Sequence, residues 1–282
     1  IRLSLVGSEM CIRDRMRAPE DLVIGIETPS LETTNELMRQ CDLVLATGGG
    51  AMVHAAYSSG SPALGVGVGN AVITVDDTAD LDAAAEKIRL SKTLDLAASC
   101  SSDNSVVLLD SIYEAMLEKL KAQGGYLCNE EEKVALRNTL WDEELHLNTA
   151  IVAQPPEKIA QMAGLSIPED TKFFIVPEEG WGPGHPFSGE KLSVIMALYR
   201  ARDIDHAIEL TQNIQAYQGQ GHSCGIYSSS EENIMKLAEN TYTSRVMVNQ
   251  PQAASNSGNV WNGMRQTLSL IHISEPTRLR RI

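Results

Sequence analysis

The side chains able to carry chemistry in this sequence are five cysteines, six histidines, two glycine-rich runs and a few carboxylates in loops. The cysteines (Cys11, Cys41, Cys100, Cys128 and Cys224) show no C-x-x-C or other zinc-ligand spacing, and no metal site is expected. Cys100 stands in AASCSSDNS, among small polar residues, after a helical pattern and before an apolar run. A thiol in a polar turn can be exposed and ionised, as a nucleophile requires. Cys41 adjoins an apolar run and reads as packing, and the sequence leaves Cys128 and Cys224 undecided. Buried inert thiols are the common alternative for each. His222 lies in GQGHSCG, where flanking glycines predict a turn and an accessible ring; a surface or hydrogen-bonded histidine fits the same pattern. Glu190, in SGEKLS, is by itself one exposed carboxylate among many. Thr47-Gly48-Gly49-Gly50 follows an apolar run and precedes a helical one, so backbone N–H groups there could face a phosphate. The run lacks the Lys-Ser/Thr ending of a P-loop, and neither it nor Gly65-Val66-Gly67-Val68-Gly69 is a G-x-G-x-x-G fingerprint; by spacing alone, tight-turn glycines are the preferred reading over a nucleotide site.

The elements that must position these residues alternate. Strand-like runs are LVIGI (22–26), LVLA (43–46), PALGV (62–66), AVITVD (71–76), SVVLLD (105–110), KFFIV (172–176), SVIMALYR (193–200), CGIYS (224–228) and RVMVN (245–249). Helical patterns cover 31–40, 51–59, 79–93, 111–123, 203–214 and 231–240. Between the turn at Gly124-Gly125 and Lys172 no element is assigned. Repeated strand–helix units predict parallel sheets covered by helices, the α/β class. No internal repeat or low-complexity tract interrupts them.

At 282 residues, 43% of them apolar, the chain is long enough for a substantial core. A formal charge of −14 and 5% aromatics argue against a nucleic-acid footprint or an anionic membrane surface. No apolar run approaches the ~18 residues of a membrane span, and scattered unpaired cysteines suit a reducing, cytoplasmic setting. The two ends read differently from the rest. IRLSLVGSEMCIRDR (1–15) and SLIHISEPTRLRRI (269–282) resemble translated sequencing adapters, and acidic and basic residues in the first exclude a signal peptide. Both are set aside as artefacts, so the chain is expected to be a fragment.

Taken in order, five segments resemble the acylating, CoA-dependent branch of the aldehyde dehydrogenase superfamily: 46–70 (its glycine-rich stretch), 91–107 (its catalytic-cysteine segment), 189–203, 219–228 and 244–251. The likeness runs from about Ala18 to Leu268. It implies a partial Rossmann-like cofactor domain over 16–72, an α/β catalytic domain over 73–249 and a return segment over 250–268.

The resemblance further implies a role for each matching residue. Cys100 matches the nucleophile that forms a thiohemiacetal and then a thioacyl-enzyme, from which CoA takes the acyl group. Thr47, Gly48 and Gly49 match the loop holding NAD or NADP, and Glu190 the glutamate that hydrogen-bonds the nicotinamide ribose. His222 matches a histidine near the nucleophile, a proton carrier for thiol activation or thiohemiacetal collapse. Hydrolytic relatives place a glutamate in an E-L-G-G-K segment to activate water. Here the corresponding run is Gly65 to Gly69, without a carboxylate. A CoA thiol ionises readily and needs no such base. Gly50 departs from the family, which often has proline there. Segment 249–269 resembles that of members acting on anionic aldehydes such as sulfoacetaldehyde, with Arg265 able to pair with a sulfonate or carboxylate; an exposed structural arginine is the alternative. The partners implied are a short aldehyde and CoA, with homo-oligomeric assembly at full length. The family's N-terminal oxyanion asparagine and much of its adenosine site lie outside the resemblance, so this chain alone is expected to turn over weakly or not at all. The rival expectations are a hydrolytic dehydrogenase releasing a free acid and a catalytically silent scaffold.

Overall fold

A computed structural model describes residues 24–256. The first helix among the described residues, α1 (Leu31–Gln40), is capped by Ser30, whose hydroxyl accepts from Thr33 N. Strand β1 (Val44–Thr47), helix α2 (Gly50–Ser58) and strand β2 (Ala63–Val66) follow, and β1 and β2 pair in parallel as a two-stranded sheet. The LVIGI expectation fails where it is described: residues 24–26 form no strand, and Ile24 is 76% exposed. Apolarity alone does not make a strand without a neighbour to bury it.

Among the described residues, every strand after β2 belongs to a second sheet. Its strands are β3 (Ala71–Val75), β4 (Asp103–Leu109), β5 (Gly125–Leu127), β6 (Phe173–Pro177), β7 (Ile195–Ala201), β8 (Gly221–Tyr227) and β9 (Thr243–Val248). They lie in the order β5-β6-β7-β4-β3-β8-β9, every pair parallel. Between them run α3 (Leu81–Thr93), α4 (Tyr113–Ala122), α5 (Glu130–Leu140), α6 (Pro156–Ala163), α7 (Ile204–Tyr217) and α8 (Glu231–Asn240), and a short α9 (Gln252–Ser255) follows β9. Helix α7 covers β3, β4 and β7, while α3 lies against β4 and β6. Strands sandwiched in this way read as continuous apolar runs, and β4 and the first four residues of β6 are buried throughout. Phe173, Phe174, Ile175 and Val176 are wholly buried in the main core, with Val106, Val107 and Leu108. Burying each large side chain there is worth about 1.5–3 kcal/mol.

The unassigned stretch holds β5, α5 and α6. Asn129 caps α5 in a capping box with Glu132, and Pro156 opens α6. Among the described residues no helix is long and apolar enough to cross a membrane, and no group of three or more His, Cys, Asp or Glu could hold a metal ion.

Candidate active site

Because every strand of the large sheet runs the same way, the residues just before or at the starts of strands share one edge. Glu190 precedes β7, Cys100 precedes β4, Gly69 precedes β3 and His222 is the second residue of β8. These strands are neighbours in that order, so residues far apart in sequence converge. His222 Nε2 lies 3.3 Å from Cys100 Sγ. A Cβ built on Gly69 would stand 2.8 Å from Cys100 Cβ and 2.9 Å from His222 Nε2. Gly69 N–H donates to Glu190 Oε1 at 3.2 Å.

The backbone leading to Cys100 is contorted. Asp95, Leu96 and Ala97 have φ of 49°, 50° and 60°, a left-handed turn that L-residues enter at a cost of about 1–2 kcal/mol each. It separates the end of α3 from the turn carrying Cys100. Ser102 N–H closes that turn on Ser99 O at 3.0 Å.

Three expectations about exposure are corrected. Cys100 is half-buried rather than freely exposed, and burial followed by the Glu190 charge pushes its thiol up rather than down. Glu190 is no ordinary surface carboxylate: burial raises it to about 7, against the Gly69 N–H bond and the Lys191 and Lys92 charges. His222 is 2% exposed. Its flanking glycines do make a turn, with φ of 82° at Gly219 and 88° at Gly221, but the chain enters β8 at once and carries the ring inward. Burial, then the Arg245 charge, holds its pKa down at about 4, so the imidazole is neutral.

Several partners were not singled out from the sequence. Gln218 Oε1 accepts from Glu190 N at 2.9 Å, and Asn70 Nδ2 donates to Ser188 O at 2.7 Å, tying the segments before β7 and β3 to their surroundings. Lys191 Nζ donates to Phe187 O and Gly189 O at 2.6 and 2.8 Å. Lys92 and Asp103 are fully buried, and desolvation drives both to about 7 from opposite sides. Lysine and aspartate are common in exposed positions, so only the apolar context around SKT and SSDNSVV could have marked these two. Ser223 and Gln252 stand behind His222, its Nδ1 lying 2.8 Å from Ser223 Oγ.

Thr47, Gly48 and Gly49 sit at the other junction, where β1 ends and α2 begins. Gly48 N–H continues the ladder by donating to Val66 O at 3.1 Å, and Gly49 is the N-cap of α2. A Cβ on Gly49 or Gly50 would meet nothing within 4 Å, so there is open space beside the start of the helix. Residues 67–70 carry the chain from the carboxyl ends of the small sheet to the amino ends of the large one. The glycine run is differentiated. A Cβ on Gly65 would run into Val53 and Tyr57 under α2, one on Gly67 meets open space, and only Gly69 abuts Cys100. Cys41 packs at the edge of the small core, while Cys128 and Cys224 are buried; all three are free thiols. Arg265 lies outside the described residues.

Comparison with known proteins shows what the chain is similar to. A sulfoacetaldehyde dehydrogenase of an Acholeplasma species is 43% identical over 91% of the chain and 54% of its own length. An acylating sulfoacetaldehyde dehydrogenase of Cupriavidus necator is 41% identical over 95% of the chain and 54% of its own length. The chain thus spans about half the length of the curated relatives it matches. Among solved structures, an acetylating aldehyde dehydrogenase from Geobacillus thermoglucosidasius superposes with a TM-score of 0.84 at 35% identity, over 92% of the chain and 61% of its own. A Rhodopseudomonas palustris propionaldehyde dehydrogenase with bound propionyl-CoA gives 0.80 at 26% identity, over 92% and 56%. No family model matches the chain.

Proposed function

Because the chain belongs to the CoA-acylating branch of the aldehyde dehydrogenase superfamily, we propose that it supplies the catalytic centre of an NAD(P)-dependent enzyme converting a short aldehyde to its acyl-CoA. The observation that carries the reading is the pairing of Cys100 Sγ with His222 Nε2 at 3.3 Å, against the Cβ-free face of Gly69. Lacking a Cβ, Gly69 lets the segment before β3 pack directly against Cys100 and His222. The Cys100 thiolate attacks that carbon, giving a thiohemiacetal whose oxygen takes the electron pair. His222, neutral and in contact with the sulfur, is the nearest group able to hold or pass a proton as this adduct forms and collapses.

The residues fit a nicotinamide dinucleotide where they would meet it. Glu190 presents a half-buried carboxylate to a ribose, and the open helix start behind Gly49 can face the phosphates. When bound, that cofactor would supply the hydride acceptor for the thiohemiacetal carbon, and the acyl group would then remain in thioester linkage to Cys100. The CoA thiolate then displaces Cys100 from the acyl carbon, releasing acyl-CoA and restoring the thiolate. The run Gly65 to Gly69 itself contributes no carboxylate, and Glu190, the carboxylate that meets Gly69 N–H, is assigned to the ribose, which favours CoA over hydrolysis.

On this reading 16–72 contribute part of the cofactor domain, 73–249 the catalytic domain and 250–268 a return segment; the change of sheet between Val66 and Ala71 supports the division. A cytoplasmic homo-oligomer of the full-length protein, to be checked by light scattering, completes the proposal. The test is aldehyde-dependent NAD(P)H formation by a full-length protein built around this segment, with and without CoA, over acetaldehyde, succinate semialdehyde and sulfoacetaldehyde. Reduction that requires CoA is expected. Reduction indifferent to CoA would make water the acceptor and overturn the acylating reading.

A further inference from the structure

Behind His222 lies a second pair of side chains that the acyl-transfer reading leaves without a role. Ser223 Oγ is 2.8 Å from His222 Nδ1 and 2.7 Å from Gln252 Nε2. A hydroxyl has one hydrogen to give and two lone pairs. The Gln252 amide donates, so it occupies a lone pair. The Ser223 hydrogen then has His222 Nδ1 as the acceptor within reach among the described residues. Turning the Gln252 amide would place its NH2 where Oε1 now lies buried without a partner, and a buried N–H left without an acceptor is the less tolerated orphan.

We propose that Ser223 and Gln252 are positioning residues that fix the neutral tautomer of His222 with its hydrogen on Nε2, so that the ring meets Cys100 as a hydrogen-bond donor. The inference rests on the reading of Cys100 as the nucleophile. In this arrangement His222 does not take the thiol proton in the resting enzyme. That proton leaves the half-exposed Cys100 for solvent, and Nε2–H steadies the thiolate left behind. The arrangement complements the neutral ring, since the Arg245 charge on β9 opposes an imidazolium and the Glu190 charge opposes an unsupported thiolate.

The surroundings hold the device in register. Ser223 and Gln252 are fully buried. Gln215 Nε2 donates to Ser223 O at 3.0 Å, and Ser244 Oγ donates to His222 O. The residue after Gln252, Ala253, donates its N–H to Ser91 Oγ at 2.9 Å, and Ser91 donates to Asp103 Oδ1 at 2.7 Å. Ser91 and Asp103 flank the segment carrying Cys100. The first turn of α9 therefore anchors the histidine and the nucleophile segment together.

The experiment is two-bond 1H–15N correlation spectroscopy of the 15N-histidine-labelled chain, with His222 assigned by loss of its signals in His222→Asn. The expected pattern is a protonated Nε2 and an unprotonated Nδ1. Ser223→Ala should convert it to a mixture of tautomers, and Ser223→Thr should restore it. Gln252→Glu, whose carboxylate would accept the Ser223 hydrogen, should move the imidazole hydrogen to Nδ1. In parallel, the pH midpoint of Cys100 alkylation, mapped by peptide mass, should shift upward in Ser223→Ala and return in Ser223→Thr. Hydrogen on Nδ1 in the unsubstituted chain would overturn the proposal, as would an unchanged tautomer and midpoint in a folded Ser223→Ala. If Ser223→Ala does not fold, the unsubstituted chain and Ser223→Thr decide it. The tautomer is read without turnover, so an Nε2–H histidine in a protein that reduces NAD(P) without CoA would overturn the acylating reading alone.

Discussion

The two sheets hold their functional residues in different ways. In the large sheet, Glu190, Cys100 and His222 hang from the starts of β7, β4 and β8, with β3 between the last two, and these strands are largely buried on both faces. In the small one, Thr47 ends, and Gly48 and Gly49 follow, a strand that alternates buried and exposed, with Leu43 and Leu45 about half exposed beside Val44 and Ala46. Its core cluster comprises Met38, Val44, Ala46 and Ala56. The contrast teaches where precision comes from. Distances among the proposed catalytic groups are set by a stack of parallel strands that cannot shift singly, whereas the loop proposed to face the cofactor rests on far fewer buried contacts. Loops on such thin support can open locally at low free-energy cost.

The comparison can be broken at four levels. The largest effect is expected from Cys100→Ser, which should lower CoA-dependent aldehyde oxidation by about 10⁴-fold or more, as loss of a nucleophile does elsewhere; circular dichroism should stay unchanged. Next comes the pair Gly69→Ala and Gly67→Ala. The first places a methyl 2.6 Å from Cys100 O, the second in open space. The first should cost on the order of 100-fold in rate through misplacement of the nucleophile, with the second near the parent in kcat.

A second pair measures stability. Phe174→Ala in the large core should lose about 3–5 kcal/mol in urea unfolding, while Leu45→Ala on the small sheet should stay within about 0.5 kcal/mol. Comparable losses would erase the distinction between the two supports. The smallest effect concerns pH. Burial raises Glu190 in the folded state from 4.5 to about 7, so between those values the folded protein holds more protons than the unfolded chain. Its contribution to stability is therefore lost as pH rises through about 7. Glu190→Gln should gain on the parent as pH rises across that window. A difference independent of pH would mean the carboxylate is not held in that environment.

Much of the large sheet was legible because its strands are short apolar runs with capped helices between them. Asp80, Asp203 and Ser230 accept from the helix starts that follow them. Helix α8 covers the same residues, 231–240, that the pattern marks. The stretch 124–171 was not legible because β5 has three residues and the flanking helices present narrow apolar faces. LVIGI misled for the opposite reason, having the apolarity of a strand without a partner in the described fold. At the site, residue types were readable and environments were not. The glycines around His222 signal a turn, but only the pairing of β8 with β3 and β9 shows that the ring is buried. Glu190 looks ordinary until the segment before β7 carries it to Gly69, and Ser223 and Gln252 carry no local signal at all.

The most direct test of the central claim is acyl exchange on the chain itself. Incubation with acetyl-CoA, followed by peptide mass mapping, should place one acetyl group on Cys100. The group should be returned on adding free CoA, persist in water without it, and be absent in Cys100→Ser. Acetylation that avoids Cys100, or an acetyl-Cys100 that water clears as fast as CoA does, would contradict the account.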